Sequence, residues 1–336
     1  MTLTIADVGE FDMIKRAQDI LGFPKNPSVL KGIGDDTAVV KSENDNWLFT
    51  TDIQLEGTHF NLDWITPFQL GRRSLSVNLS DIAAMGGVPK YALISIAIKP
   101  YFKLVFFDEL YLGLKSIADE TDTEIIGGNL SRTDGPLTID IHLIGQTQGT
   151  QFALRSGAQI DDRIFVTGAL GGGLGGYLTL KHFQNKYPVS AKHLVEKYLN
   201  PNPRLDIGRL LLNSGYLTSM IDLSDGLIGD LKHICERSKV TALIDKRKIP
   251  IVKIPNDLEL SGIQNEVELA LKGGDDYELL FTLSPDAPKD FIINLEISSG
   301  IKISEIGTIT KSDMGIRAIE MNGEVKTISE ESWEHF

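Results

Sequence analysis

Apolar and polar positions alternate along the chain with two periods, and the switches between them predict its elements. Phe11, Ile14, Ala17, Ile20 and Leu21 recur at helical spacing and predict a short amphipathic helix over 10–21. Residues 47–53 read as a buried strand that runs out into a polar loop. Residues 67–85 predict a long helix, with Pro67 suited to its first turn and Gly86-Gly87 ending it. Residues 91–98 are almost continuously apolar, which predicts a strand buried on both faces. A helix over 106–121, a short strand over 124–126 and an alternating strand over 137–146 complete this block. Its order predicts an α+β layer, with helices on one side of a mixed sheet. A polar stretch over 148–162 reads as a junction. Beyond it come strands over 163–167, 219–223, 277–283, 302–308 and 315–319. Helices are expected over 174–183, 203–212, 226–237, 266–271 and 291–296. The expected architecture is therefore two domains, 1–148 and 149–336, the second an α/β domain.

Several polar positions interrupt these patterns. The strand over 47–53 ends on Thr50, Thr51 and Asp52, and its loop carries Glu56, Gly57 and His59. On the long helix, Ser74, Asn78, Asp81 and Met85 fall on one face. An aspartate inside an apolar helix has no propensity reason to be there. Acids also gather in turns rich in Gly, Ser and Asn: GIGDD (Asp35, Asp36), LSDG (Asp222, Ser224, Asp225) and GGDD (Asp275, Asp276). Any one of them could be a solvated turn or a helix cap. Either Asp35 or Asp36 is expected to face a cation while the other orients the turn, with Asp36 preferred. Ser224 or Asp225 is expected to cap the helix over 226–237.

Charge narrows the chemistry. The chain has 46 acids against 33 bases, a formal charge of -13. It is thus a poor candidate for nucleic acid or an anionic membrane. Cys235 is the only cysteine, so an internal disulfide and a thiolate zinc cluster are excluded. No apolar run approaches the roughly 20 residues of a membrane span, and no basic-then-apolar leader opens the chain. A cytoplasmic location is expected.

Lys31, Arg132 and Arg155 are expected to be the only bases near the acidic turns. An acidic protein binds a polyphosphate when metal ions neutralise both partners, which points to phosphoryl transfer with several Mg²⁺ ions. The turn carrying Gly171, Gly173 and Gly176 formally spells the dinucleotide fingerprint, but no second strand with an acidic end follows it. A Walker P-loop is excluded by the missing Gly-Lys-Ser/Thr, and an EF-hand by the position of its glycine.

GIGDDTAVV, TTDIQLEGTHF, VNLSDIAAMGG, GGNLSR, LRSGA, IDLSDGL and GGDDYELLF occur in this order. Together they resemble the thiamine-monophosphate kinase family, part of the superfamily of aminoimidazole ribonucleotide synthetase. The resemblance implies an aminoimidazole ribonucleotide synthetase-like fold. It implies ATP-dependent phosphorylation of thiamine monophosphate to thiamine diphosphate by direct in-line transfer. It further implies a homodimer that pairs the N-terminal sheets. Carried over by motif, Asp36, Thr50, Thr51, Asp52, Asp81, Asn129, Asp222 and Asp225 would hold Mg²⁺, with Asp52 and Asp225 central to catalysis. Tyr111, Gly128, Asn129, Arg155 and Ser224 would contact ATP. His59, Asp275 and Trp333 would contact thiamine phosphate. Asn129 departs from a frequent Asp and Asp275 from a usual Glu. Related readings are another ATP-using enzyme of the superfamily acting on a purine-precursor or selenide-type substrate, a non-catalytic nucleotide-binding regulator, and a dehydrogenase resting on the Gly171–Gly176 turn.

Overall fold

The computed structural model describes residues 10–22, 24–256, 258, 266–311 and 314–328. Its first sheet is built from β1 (Val29–Lys31), β2 (Ala38–Lys41), β3 (Asn46–Leu55), β4 (Val88–Ile98), β5 (Glu124–Arg132) and β6 (Thr138–Gln146). The strand order is β1-β2-β3-β6-β4-β5. A short helix, α1 (Glu10–Leu21), precedes the sheet, and α2 (Pro67–Ala84) and α3 (Leu104–Glu120) cover one of its faces.

α2 begins where Thr66 Oγ1 accepts from Gln69 N and Gln69 Oε1 accepts from Thr66 N, a reciprocal capping box followed by Pro67. The helix is buried nearly all round, because α3 and the sheet hold one side and the second domain holds the other.

The opposite face of this sheet is uncovered. β4 accordingly alternates in burial, and Tyr91 and Leu93 are each 36% exposed. The expected burial of 91–98 on both faces is thus corrected: among the described residues, no second layer reaches the outer side. The strand register lays Phe49, Ile144 and Tyr91 in one outer row and Ile53, Asp140, Ser95 and Asn129 in another. The strand expected over 124–126 runs on to Arg132, so Gly127 and Gly128 lie inside β5 and not in a loop. Gly128 has φ +155, and a Cβ there would stand 1.8 Å from the Ile94 carbonyl oxygen, so a side chain does not fit.

The second sheet contains β7 (Arg163–Thr167), β8 (Leu217–Asp222), β9 (Thr241–Asp245), β10 (Leu279–Leu283), β11 (Ile303–Thr310), β12 (Gly315–Ile319) and β13 (Val325–Ile328). Its order is β13-β12-β9-β11-β7-β10-β8, antiparallel except where β12 runs beside β9. The helices are α4 (Gly172–Phe183), α5 (Lys192–Leu199), α6 (Leu205–Leu212), α7 (Leu227–Ser238), α8 (Glu266–Lys272) and α9 (Lys289–Ser299). Leu180, Val195, Tyr198 and Leu199 of α4 and α5 join the core of the first sheet, while Ile207 and Leu211 of α6 pack with Ala83 and Ala84 of α2. These shared cores fix the two sheets on either side of one cleft.

Candidate active site

The cleft encloses about 970 Å³ and is lined from both halves of the chain. Asp36, Thr50, Thr51, Asp52, His59, Asp81, Arg155, Asp222, Ser224, Asp225 and Asp275 all border it. At its floor, Asp36 before β2, Asp81 on α2 and Asp222 at the end of β8 each offer a carboxylate oxygen, all within 4.8 Å of one another. Three distant segments therefore place three acids where like charges repel.

The turn before β2 separates its two acids by role. Asp35 accepts from the Arg155 N–H at 3.1 Å and pairs with Lys31 at 2.8 Å, which fixes the turn. Asp36 faces the cluster. Its Oδ1 takes Nε and Nη2 of Arg155 at 3.1 and 2.7 Å, and its Oδ2 is buried without a hydrogen-bond partner. Burial pushes the Asp36 carboxyl up to about 7, against the pull of Arg155. Asp222 and Asp52 are each raised to about 6, chiefly by burial, and Asp81 is raised for the same reason with Asp52 and Asp222 adding to it.

β3 supplies two sides of the site. Thr50 Oγ1 donates to Asp81 on the helix side, while Thr51 Oγ1 points to the outer face and donates to Asp140 at 3.0 Å. The Asp52 N–H donates to Asn78 Oδ1 at 3.1 Å, which ties the strand end to α2. His59 Nδ1 accepts from Leu55 N at 3.0 Å, so a neutral ring carries its proton on Nε2.

The two acidic turns of the second domain are joined by backbone. Asp275 N donates to Ser224 O at 2.9 Å, and Tyr277 N donates to Leu223 O at 2.8 Å. Ser224 and Asp225 do not cap α7: Gly226 stands at that position with φ +98, and no side chain accepts there. Ser224 and Asp225 border the cleft. Asp225 N instead donates to the buried Asp230 Oδ2 at 3.2 Å.

Other residues in the site carry no readable local signal. Ser80 Oγ donates to Asp222 Oδ2 at 2.7 Å. Arg73 is 1% exposed, pairs with Asp275 at 2.9 Å and stacks on the Tyr198 ring at 4.5 Å. Tyr277 Oη donates to the other Asp275 oxygen at 2.8 Å. Tyr177 and Tyr198 border the same end of the cleft as His59 and Asp275.

The glycine turn 171–176 holds a carboxyl group of the chain's own. Asp276 Oδ2 and Oδ1 accept from Gly171 N and Gly173 N at 2.6 and 3.0 Å, and the carboxyl is buried. A dinucleotide pyrophosphate would have to displace it, which removes the structural case for a dehydrogenase.

Three of the expected site residues stand apart from the cleft. Tyr111 packs beside Phe107 on α3. Gly128 and Asn129 lie on β5, three strands from β3. At about 4.8 Å per strand, that puts Asn129 about 14 Å from Asp52 within one chain. Trp333 lies outside the described residues.

Residues 34–147 match the model of the AIR synthase related protein N-terminal domain, and residues 159–319 match that of its C-terminal domain. The chain is 32% identical to a thiamine-monophosphate kinase of Aquifex aeolicus, over 99% of this chain and all of that one. It is 37% identical to a thiamine-monophosphate kinase of Buchnera aphidicola, over 88% of this chain and 90% of the relative. Its fold overlays the solved structure of AaThiL complexed with AMPPCP and TMP with a TM-score of 0.85, at 32% identity over the whole of both chains.

Proposed function

The chain belongs to the thiamine-monophosphate kinase family of AIR synthase related proteins, and from that premise we propose the reaction it performs. It transfers the terminal phosphoryl group of ATP to thiamine monophosphate, giving thiamine diphosphate and ADP. The observation that carries the reading is the convergence of Asp36, Asp81 and Asp222 in the cleft of a chain that matches the Aquifex aeolicus kinase over that relative's whole length.

The acid cluster fits Mg²⁺. Its donors are hard oxygens, and Asp36 Oδ2 is a buried acceptor without a hydrogen-bond partner among the described residues. Asp36, Asp81 and Asp222 would hold the cations, with Thr50, Thr51, Asp52 and Asp225 as flanking donors. When bound, the metal neutralises polyphosphate charge and the charge that spreads over the moving phosphoryl group.

The protein's part is positioning. Arg155, held on Asp36, and Ser224, beside Asp222, line the wall proposed for the ATP phosphates. Ser80 keeps the Asp222 carboxylate turned into the cleft. His59 presents its Nε2 proton, and Asp275 is fixed by Arg73 and Tyr277, at the end proposed for thiamine monophosphate. The acceptor is already a phosphate oxygen, so direct in-line transfer needs no protein nucleophile.

The same reading includes a homodimer in the cytoplasm. Phe49 and Ile53, 40% and 50% exposed, share the uncovered sheet face with Tyr91 and Leu93, an apolar patch suited to a second copy. A two-fold pairing of these faces would bring Asn129 of the partner subunit toward the cleft, over a gap that one chain does not close. Trp333 keeps its proposed place against thiamine phosphate. Among the described residues no helix is long and apolar enough to cross a membrane.

Substrate choice tests the reading. ADP release should depend on thiamine monophosphate and should not respond to a formylated purine-precursor ribonucleotide or to selenide. Turnover with one of the latter alone would move the chain to another branch of the superfamily.

A further inference from the structure

Beside the acid cluster, the cleft carries a second arginine in addition to Arg155. Arg237, in the last turn of α7, lies with its guanidinium against Gly34, where a Cβ would stand 2.7 Å from Arg237 Nη2. Gly34 has φ +111, so it supplies both the turn and the room for that side chain. Two residues on, the same backbone delivers Asp36 to the cluster. Arg237, Arg155 and His233 border the cleft together here.

The two arginines are held differently. Arg155 is paired with Asp36, whereas among the described residues no carboxylate or carbonyl accepts from the Arg237 guanidinium. His233, one turn before Arg237 on α7, is pushed down to about 4 by burial first and then by Arg155, Arg237 and Lys232. It stays neutral at pH 7 and leaves the positive potential to the arginines. The helix C-terminus accounts for a cation in this turn, but not for a guanidinium laid over a glycine at the cleft wall. A planar fork beside a metal-binding acid cluster suits a phosphate group.

We propose that Arg237 is a phosphate-binding residue of this chain, donating to the polyphosphate of ATP from the cleft wall beside the acid cluster. The inference rests on the kinase reading above and adds to it a residue outside the motifs that carried that reading. Arg237 and Arg155 would then hold the polyphosphate next to the metal-loaded acids. Thiamine monophosphate, at the His59 and Asp275 end, would not touch Arg237.

The test is calorimetric binding of a methylene-bridged ATP analogue with Mg²⁺ to wild type, Arg237→Ala and Arg237→Lys, with adenosine as a second ligand. Loss of one charge-assisted contact predicts about 10- to 100-fold weaker analogue binding by Arg237→Ala. Arg237→Lys should recover part of it, and adenosine affinity and KM for thiamine monophosphate should not change. Equal binding by wild type and Arg237→Ala would overturn the role of Arg237 alone. Equal losses for adenosine and analogue would overturn the phosphate assignment. A wild type that binds no analogue would overturn the kinase reading and this inference with it. Arg237 is exposed, so its variants should fold, and coincident melting curves check that they do.

Discussion

Ser80 Oγ donates to Asp222 Oδ2 at 2.7 Å, and this bond ties α2 of the first sheet to the end of β8 in the second. Asp81 follows Ser80 on α2, and Ser224 stands two residues past Asp222, so the domain interface and the acid cluster are one structure. The buried like charges of the cluster cost stability.

Neutralising one acid should therefore separate activity from stability. Asp81→Asn removes a charge that burial, Asp52 and Asp222 all disfavour. Turnover should fall at least about 100-fold, while the metal-free melting temperature rises by a few degrees. Asp52→Ala should also lose turnover with the fold retained. A metal-free Asp81→Asn that melts well below wild type would contradict this account of the cluster.

The pH dependence follows from the same groups. Asp36 is raised to about 7, and Asp52 and Asp222 to about 6, each first by burial, against about 3.9 in an unfolded chain. The folded state holds these protons more tightly, so their contribution is full below about pH 4 and is lost as pH climbs through 6 and 7. On the proposed metal site, Mg²⁺ would compete with those protons. Its gain in melting temperature should grow from pH 5 to pH 8. A gain that is constant or shrinks over that range would show that these carboxylates do not take the metal.

Arg73 should act on one substrate only. Arg73→Leu leaves Asp275 without its partner and strips the Tyr198 ring of its cation. Because Asp275 is one-third exposed, the stability loss should be about 2–3 kcal/mol, below that of a fully buried pair. KM for thiamine monophosphate should rise at least about 5-fold, since a displaced Asp275 presents the substrate differently, and KM for ATP should stay near wild type. Parallel rises in both would assign Arg73 to general folding.

Asn129 provides the test of the dimer. An amide ligates Mg²⁺ without charge, so Asn129→Asp should lower the Mg²⁺ concentration needed for half-maximal turnover about 3-fold or more. Ile53→Glu, on the same outer row, should yield monomers in sedimentation and abolish that response. An unchanged Mg²⁺ titration in dimeric Asn129→Asp would remove Asn129 from the metal site.

Much of the site is legible in the chain itself. The acids of the GIGDD, TTD, LSD and LSDG segments are polar breaks in apolar patterns, and the fold gathers them because such breaks have few other uses. The choice between Asp35 and Asp36 has no local answer and is resolved by Arg155, whose N–H and side chain reach both from a distant segment. Arg73 gives no local sign of its role; its burial depends on Tyr198 and Asp275, far away in the chain. Residues 91–98 mislead because an apolar strand looks the same whether its second face meets a layer of its own chain or stands open. Gly226 takes the place at which Ser224 or Asp225 is expected as a cap, a choice set by the crowding of the turn against Lys272. Asn129 shows the same limit, since strand order and not spacing separates it from Asp52.

The most direct measurement is mass-spectrometric detection of thiamine diphosphate after incubation with ATP and thiamine monophosphate, with Mg²⁺ and with EDTA. Product that forms with Mg²⁺ and vanishes with EDTA is the predicted result. Product that persists in EDTA would contradict the metal site, and its absence in Mg²⁺ with ATP still bound would contradict the choice of acceptor.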